Sequence, residues 1–435
     1  MDRESWGLLG PATVPSMRRT RTLGLGAAVR SFNEAAVPGI GGIWYGKQLL
    51  LATLGVAVAA RANEQKIQVT KTEVANAIEA LACILAGTKG ELPRDPRLRG
   101  RDKLRGVSVP TFSEARKRSF YVTQPMRMAN TIALPALGLV TTDGTRFNTF
   151  ECSDSGFALI EAAFQDCRPF GGKVLDQLAK WVSGALESAN TPKFARALSP
   201  LVVLPHKARQ LLRERLLQGG PGEPETSKQR RRNALTLVGQ ARLKPVDANT
   251  PPACLTSDHW HDLKAGAKLF SARDSALSAL DAMESQLIEM KSRRWTQGIS
   301  LDQLVSTALE GLRTAANDFL DTKHSNPDAR KFCTECSVDN DATMLRNLAE
   351  RDGRVLALGE DGAIVPGQAF NRARLNTLGM DDVDLEDDDA SSPVAIQAPL
   401  PVGFSYRMRN LYLLSLDLDG KLDESLSRSA AGGRA

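Results

Sequence analysis

Ala133-Leu-Pro-Ala-Leu-Gly-Leu-Val-Thr-Thr-Asp-Gly-Thr-Arg-Phe-Asn-Thr-Phe-Glu-Cys-Ser-Asp-Ser-Gly156 is the stretch on which the reading of this fold turns. Just ahead of it, Gln124 to Leu134 is predicted as a helix carrying Arg127 and Asn130. Pro135 stops or kinks that helix, because proline lacks an amide hydrogen and collides with the preceding turn. Leu139-Val140 begins a short strand, Asp143-Gly144 is a hairpin turn signal, and Phe147 and Phe150 are assigned to the returning strand. A further helix is expected over Gly156 to Phe164, with Ser153 or Ser155 as its cap.

Working outward, Gly42 to Ala62 reads as a helix apolar on most sides. A second helix, with Val74, Ile78, Leu81 and Ile84 at helical spacing, starts from Thr70 or Thr72 and stops at Gly87. The short polar link from Asn63 makes the two the opening of a helix-turn-helix bundle. Gly90 to Gly106 then reads as an extended loop. Across Arg94–Arg118 stand nine basic residues: Arg94, Arg97, Arg99, Arg101, Lys103, Arg105, Arg116, Lys117 and Arg118. Against them are three acids, so this short stretch holds a surplus of 6, equal to the net charge of the whole chain. An Arg-rich loop can simply solvate a surface. Its density, its place before a helix and the nearby Tyr121, Asn130 and Arg146 favour phosphate contacts, where Lys and Arg supply affinity.

The order helix, strand, Asp-Gly turn, strand, helix resembles the winged helix-turn-helix superfamily of DNA-binding domains. The resemblance is carried by Leu134, Leu137, Gly138, Leu139, Val140, Asp143, Gly144, Phe147, Ser155 and Gly156, and covers residues 40–170. It implies a recognition helix that presents Gln124, Arg127 and Asn130 to a major groove, with Arg146 on the wing reaching a minor groove or the backbone. Double-stranded DNA is the implied partner. Pro135 and the long loop at 87–120 depart from the pattern.

The chain has 435 residues, and its apolar set is dominated by Leu and Ala with few aromatics, which favours helices over a β-sandwich. The expected class is mainly α with small β-hairpins. The expected order is a flexible arm (1–30), a winged-helix-like basic domain (31–170), a helical domain (171–330) and a small mixed region (331–435) with an acidic linker at 380–392. Gly219 to Ser227 reads as a flexible break before Lys228, Arg230, Arg231 and Arg232, and Val355 to Val365 as a hairpin. Phe404 to Leu418 reads as a strand or short helix. Residues 1–250 hold 36 Lys+Arg against 21 Asp+Glu, whereas residues 251–435 hold 20 against 29. That split points to a polyanion-facing first half and an acidic second half suited to protein partners. Six cysteines are too sparse for a disulfide scaffold, which favours a reducing, cytoplasmic setting. The apolar run from Gln48 to Ala60 is shorter than the roughly 20 residues of a membrane span, so no membrane association is expected.

Other motifs are weaker. Gly41-Gly-Ile-Trp-Tyr-Gly-Lys-Gln48 fits a phosphate-binding loop until Gln48 stands where a hydroxyl is needed, and reads better as a chance match ahead of a core helix. Cys333-Thr-Glu-Cys336 has thiolate spacing for zinc, with Cys254, His259 or His261 as the remaining ligands, against two helix-end cysteines as the plainer reading. Asp417-Leu-Asp-Gly-Lys421 is a partial match to a metal-dependent nuclease pattern. The expected function is a cytosolic, non-catalytic DNA-binding protein, acting as a regulator or as the recognition subunit of a complex. The alternatives are an interaction scaffold of a bacterial multi-gene defence or mobile-element system and a metal-dependent nuclease subunit.

Overall fold

The computed structural model describes residues 21, 23–87, 91–370 and 398–432. The acidic run at 381–389 lies outside them, as do residues 1–20 of the expected arm. Helix accounts for 57% of the protein and strand for 3%, which places it in the mainly α class. The chain divides into two compact units, residues 28–267 with 386–435, and residues 1–27 with 268–385. Neither unit breaks near residue 170 or 330.

The larger unit is built on one helix. After α1 (Gly26–Ala36), α2 (Gly46–Glu64) buries fifteen of its 19 residues. A helix apolar on every side is stable only when neighbours enclose it. The neighbours that form a core with it are α3 (Lys71–Ala86), α6 (Asp154–Phe164), α7 (Val174–Ser183), α8 (Pro192–Leu198), α9 (His206–Gln218), α10 (Glu225–Ala241), the start of α11 (Ser257–Glu289) and α15 (Tyr406–Leu418). Thr70 caps α3 and exchanges hydrogen bonds with Glu73 in a capping box, and Ser153 caps α6 by accepting from the Gly156 amide. Of the stretch from Phe404 to Leu418, residues Tyr406–Leu418 are helical, and α16 (Leu422–Gly432) follows.

Two expectations fail between α3 and α6. The segment 124–134 is not an α-helix: after α4 (Phe112–Ala115) it forms a 3-10 helix, Met126–Asn130, and then the single turn α5 (Ala133–Ala136). Pro125 pushes Gln124 out of the helical region, and the Asn130 side chain donates to the Met126 carbonyl at 3.0 Å, which competes with helix continuation. The hairpin exists, but β1 (Val140–Thr141) pairs antiparallel with β2 (Glu151–Cys152), so Asp143-Gly144 lies in a longer loop. Phe147 sits in a 3-10 turn, not on a strand. Two residues three apart would point to opposite faces of a strand, whereas a 3-10 turn sends both rings inward. Phe147 and Phe150 are indeed both buried, with ring centroids 5.3 Å apart.

Residues 219–227 are likewise no flexible break. Gly219 ends α9 at a φ of 70°, and the Gly220 amide donates to the Ala136 carbonyl at 2.7 Å. Arg231 is fully buried: it forks onto Glu223 at 2.5 and 2.6 Å and donates to the Leu216 and Pro38 carbonyls. One guanidinium thus ties the end of α9, the loop after α1 and α10 together. Arg407, also buried, bonds Glu34 and the Val37 carbonyl.

The smaller unit packs α12 (Gln303–Leu320), α13 (Pro327–Cys336) and α14 (Asp341–Asp352) with a hairpin of β3 (Leu356–Leu358) and β4 (Ile364–Pro366), in the register Leu356 to Pro366 and Leu358 to Ile364. Trp295 extends the hairpin by exchanging two backbone hydrogen bonds with Ile364, both 2.9 Å. Arg21 pairs with Asp281, Glu284 (2.5 Å) and Asp352 (3.5 Å).

Helices α2 and α3 meet at Gly55, where an added Cβ would lie 2.6 Å from the Ala75 Cα and Cβ. Gly55→Ala is therefore expected to destabilise by roughly 1–3 kcal/mol through overpacking, against a gain in helix propensity of about 1 kcal/mol. Urea unfolding measures the balance; a more stable Gly55→Ala protein would rule out this close crossing.

Candidate functional site

The basic segment is organised from beneath by a carboxylate. Glu79 on α3 is 3% exposed. Its Oε1 accepts from the Tyr121 hydroxyl at 2.9 Å and the Met126 amide at 2.6 Å, and its Oε2 accepts from the Arg127 amide at 3.0 Å. Burial pushes this carboxyl up from its ordinary range, while the hydrogen bonds from Met126, Arg127 and Tyr121 and the nearby Arg99 charge draw it back. A buried acid that satisfies three donors fixes the segments that supply them, since each donor left unpaired would cost about 1–3 kcal/mol. Tyr45 adds a second tether, donating to the Arg97 carbonyl at 3.0 Å. Leu92, Leu98 and Leu104 anchor the loop in a small apolar cluster with Trp44, Cys83 and Tyr121. The loop is extended, as its glycines and prolines suggest, but it is pinned.

That anchoring sorts the predicted contact residues. Arg94, Lys117, Arg118 and Arg146 are exposed and make no ion pair among the described residues. Arg105 is exposed and pairs with Asp102 at 3.0 Å. Lys103, also exposed, donates to the Tyr121 carbonyl at 2.7 Å, and the half-buried Arg101 to Leu92 at 3.2 Å. Arg99 is half-buried, with its charge acting on Glu79 and Cys83. Arg116 pairs with Glu73 at 2.8 Å and lies over the Phe112 ring.

The other residues expected to contact nucleic acid, Arg97 of the basic segment and Gln124, Arg127 and Asn130 of the expected recognition helix, are placed differently. Arg97 is 6% exposed, held between Asp95 and Asp423, each at 2.7 Å. Asn130 is fully buried, its amide donating to the Gln48 and Met126 carbonyls. Both are withdrawn from any interface by burial. Arg127 is half-buried, donates to Asn76 at 2.7 Å and lies over the Phe147 ring, and Gln124 is half-buried beside Pro125.

Two groups of cations result, one at each end of α3. Arg116 reaches Glu73 in its first turn, and the Asn148 side chain in the hairpin loop accepts from the Thr72 amide at 2.9 Å, so Lys117, Arg118 and Arg146 belong to that end. At the other end the loop that carries Arg94 to Arg105 packs Leu92, Leu98 and Leu104 with Cys83, and Glu91 ahead of it lies against Gly87. A helix of 16 residues spans about 24 Å.

The remaining motifs are turned inward. At the start of α2, where a phosphate-binding loop would hold its ligand, the Asp417 carboxylate accepts from the Gly46 amide at 2.8 Å. Gln48 accepts from the Trp44 and Tyr45 amides, and Lys47, 4% exposed, donates to the Ala197 carbonyl at 2.9 Å. Burial lowers the Lys47 amine to about 8, with Asp417 opposing that shift. Asp417 and Asp419 close α15, not a strand, and Asp419 is held by Arg213 and Arg242. Cys333 and Cys336 are fully buried in α13, and burial pushes both thiols to about 12. Among the described residues no three His, Cys, Asp or Glu side chains come together as a metal site. His259 lies in the core of the larger unit, its Nε2 2.9 Å from the Ala36 carbonyl. Since a carbonyl only accepts, that nitrogen carries the proton.

No family model, curated protein or solved structure matches the chain. No helix among the described residues is long and apolar enough to cross a membrane.

The sequence reading passed over Glu79, although Ala75, Glu79 and Cys83 form a helical row in which a carboxylate stands between small apolar residues. Glu79→Gln places an amide NH2 against at least one of the three donors. It is expected to cost roughly 1–3 kcal/mol and to speed hydrogen exchange at the Met126 and Arg127 amides, which mass spectrometry resolves. Unchanged exchange at those amides would remove Glu79 as the anchor.

His259 supplies a pH test. Burial holds its folded pKa below the ordinary 6.5. The unfolded chain therefore binds the proton more readily, so its contribution is complete above pH 6.5 and is lost as pH falls below that value. His259→Gln keeps a donor toward Ala36 without titrating. The slope of unfolding free energy between pH 5 and 6.5 is expected to be shallower in the variant by up to about 1.4 kcal/mol per pH unit.

Proposed function

We propose that the larger unit binds the phosphate backbone of double-stranded DNA along α3, through Arg94 and the Arg101–Arg105 loop at one end and Lys117, Arg118 and Arg146 at the other. The observation that carries this reading is the contrast between the two basic clusters of the chain. In the second cluster each arginine is consumed: Arg230 by Asp262 at 2.6 Å, Arg231 by Glu223 and Arg232 by Glu225 at 2.7 Å. In the first, Arg94, Lys117 and Arg118 stand exposed and make no ion pair among the described residues, Arg94 on the loop that Leu92, Leu98 and Leu104 anchor. Holding cations in advance reduces the ordering cost when phosphates bind.

The reading differs from groove recognition in one respect. With Asn130 buried and Arg127 tied to Asn76, the 3-10 segment offers no free base-reading side chains. Contacts to phosphate position a protein without reading sequence. The proposed role is thus that of a non-catalytic subunit that holds nucleic acid for a partner. The winged-helix resemblance enters here only through α2, α3 and the β1–β2 hairpin, whose loop carries Arg146.

The test is a gel-shift series over salt with two duplexes of unrelated sequence. The native chain is expected to bind both alike. Replacing Arg94, Lys117, Arg118 and Arg146 together by Glu is expected to weaken both equally and to flatten the slope of log affinity against log salt by about 0.9 for each phosphate no longer neutralised. Lys207→Glu, on α9, serves as the charge control. Absence of binding by the native chain at every ionic strength sinks the proposal, as does an unchanged salt slope in the fourfold variant.

A further inference from the structure

Away from the cationic loop, the last turns of α2, with α6 and α7, line a half-open cavity of about 420 Å³. That falls within the roughly 300–1,000 Å³ of small-molecule sites. Its apolar lining comes from Ala57, Ala60, Phe157, Ile160, Phe164 and Val174. Ala57 and Ala60 leave the space that larger residues on α2 would fill. Phe157 is 47% exposed, an aromatic left without a protein cover.

The charged rim is nearly self-compensating. Arg61 faces Glu64 at 3.2 Å and Asp176 at 3.7 Å, and Lys173 faces Glu161 at 3.8 Å. Arg168 is the exception: it makes no ion pair among the described residues. Its Nη1 donates to the Phe164 and Cys167 carbonyls at 3.0 and 3.1 Å, which fixes the guanidinium beside the cavity. The turn that follows runs through Phe170 in the left-handed region (φ 50°, ψ 31°), a conformation bulky side chains rarely adopt and one that concentrates at functional sites.

We propose that this cavity binds an amphipathic organic anion, a medium-chain carboxylate whose tail lies on the Ala57, Ala60, Ile160 and Phe164 floor and whose headgroup meets Arg168. The apolar floor supplies affinity, and the one cation of the lining without an ion pair among the described residues supplies orientation. A guanidinium is suited to a carboxylate because its planar fork can donate two parallel hydrogen bonds. An amine headgroup would meet repulsion from Arg168, and an alcohol would gain only the tail's burial.

The probes are octanoate, octanol and octylamine, titrated calorimetrically into the full chain. Octanoate is expected to bind at least about tenfold more tightly than octanol, the ratio expected of a charge-assisted hydrogen bond. Octylamine is expected to bind most weakly. Arg168→Gln should reduce octanoate to the octanol level, Arg168→Lys should restore part of the difference, and Ala60→Leu should weaken octanoate and octanol together by filling the floor. Hydrogen exchange should show octanoate protection confined to α6, α7 and the end of α2. Equal binding of octanoate and octanol overturns the proposal in favour of an apolar seat for a partner's side chain. Absence of octanoate binding, or binding insensitive to both Arg168→Gln and Ala60→Leu, also overturns it.

Discussion

Burying Glu79 is the constraint from which the order of the cationic surface follows. A carboxylate removed from water needs a full set of donors, and here they come from residues more than forty positions along the chain from Glu79: Tyr121 and the amides of Met126 and Arg127. Satisfying one acid therefore places the end of the basic loop and the start of the 3-10 segment against the same face of α3. Met126 and Asn130 are drawn inward by the same arrangement, the latter onto the Gln48 carbonyl of α2. The exposed lysines and arginines are what remains outside once these demands are met. Their availability for phosphates is a consequence of how the buried polar groups are paired.

The same logic governs the other buried charges. Arg231 and Arg407 are sequestered with a carboxylate and backbone carbonyls each, and Arg21 bridges three acids in the smaller unit. Breaking such a pair by removing one partner is costly because the other charge stays buried alone. Charge density along the chain is therefore a poor guide to charge density on the surface. The segments 94–118 and 228–232 are alike in the sequence, yet the second is spent on internal ties and the first is only partly so.

Legibility followed the range of the interactions. The helices α2, α3 and α6 could be read because their apolar spacing and caps are local signals: Thr70 ahead of α3, Ser153 before Gly156, Gly87 as a stop. The hairpin over Leu356 to Pro366 was equally plain. The errors arose where distant partners decide. Nothing near Asn130 announces the Gln48 carbonyl, and nothing near Gly220 announces its hydrogen bond to the Ala136 carbonyl. Pro125 was a local signal that could have been used, since the residue before a proline avoids the helical region. In the basic segment, residue type identified the cations; burial, set by Asp95, Asp423 and Glu79, decided which remained available.

The start of α2 shows how far a motif can be from its chemistry. Small residues, a lysine and a helix N-terminus would together attract an anion, and they do, but the anion is Asp417 of the same chain. Gln48, where a magnesium-binding hydroxyl would stand, closes the turn by accepting from Trp44 and Tyr45. An external phosphate would have to displace a buried carboxylate and leave Lys47 deeper in the protein than it can reach. The helix dipole is already answered from within, and the result is an anchor for α15 beneath the core. The sites proposed above for external anions, the exposed cations at the two ends of α3 and Arg168 beside the α2–α6–α7 pocket, differ from it in that no carboxylate among the described residues pairs with Arg94, Lys117, Arg118, Arg146 or Arg168.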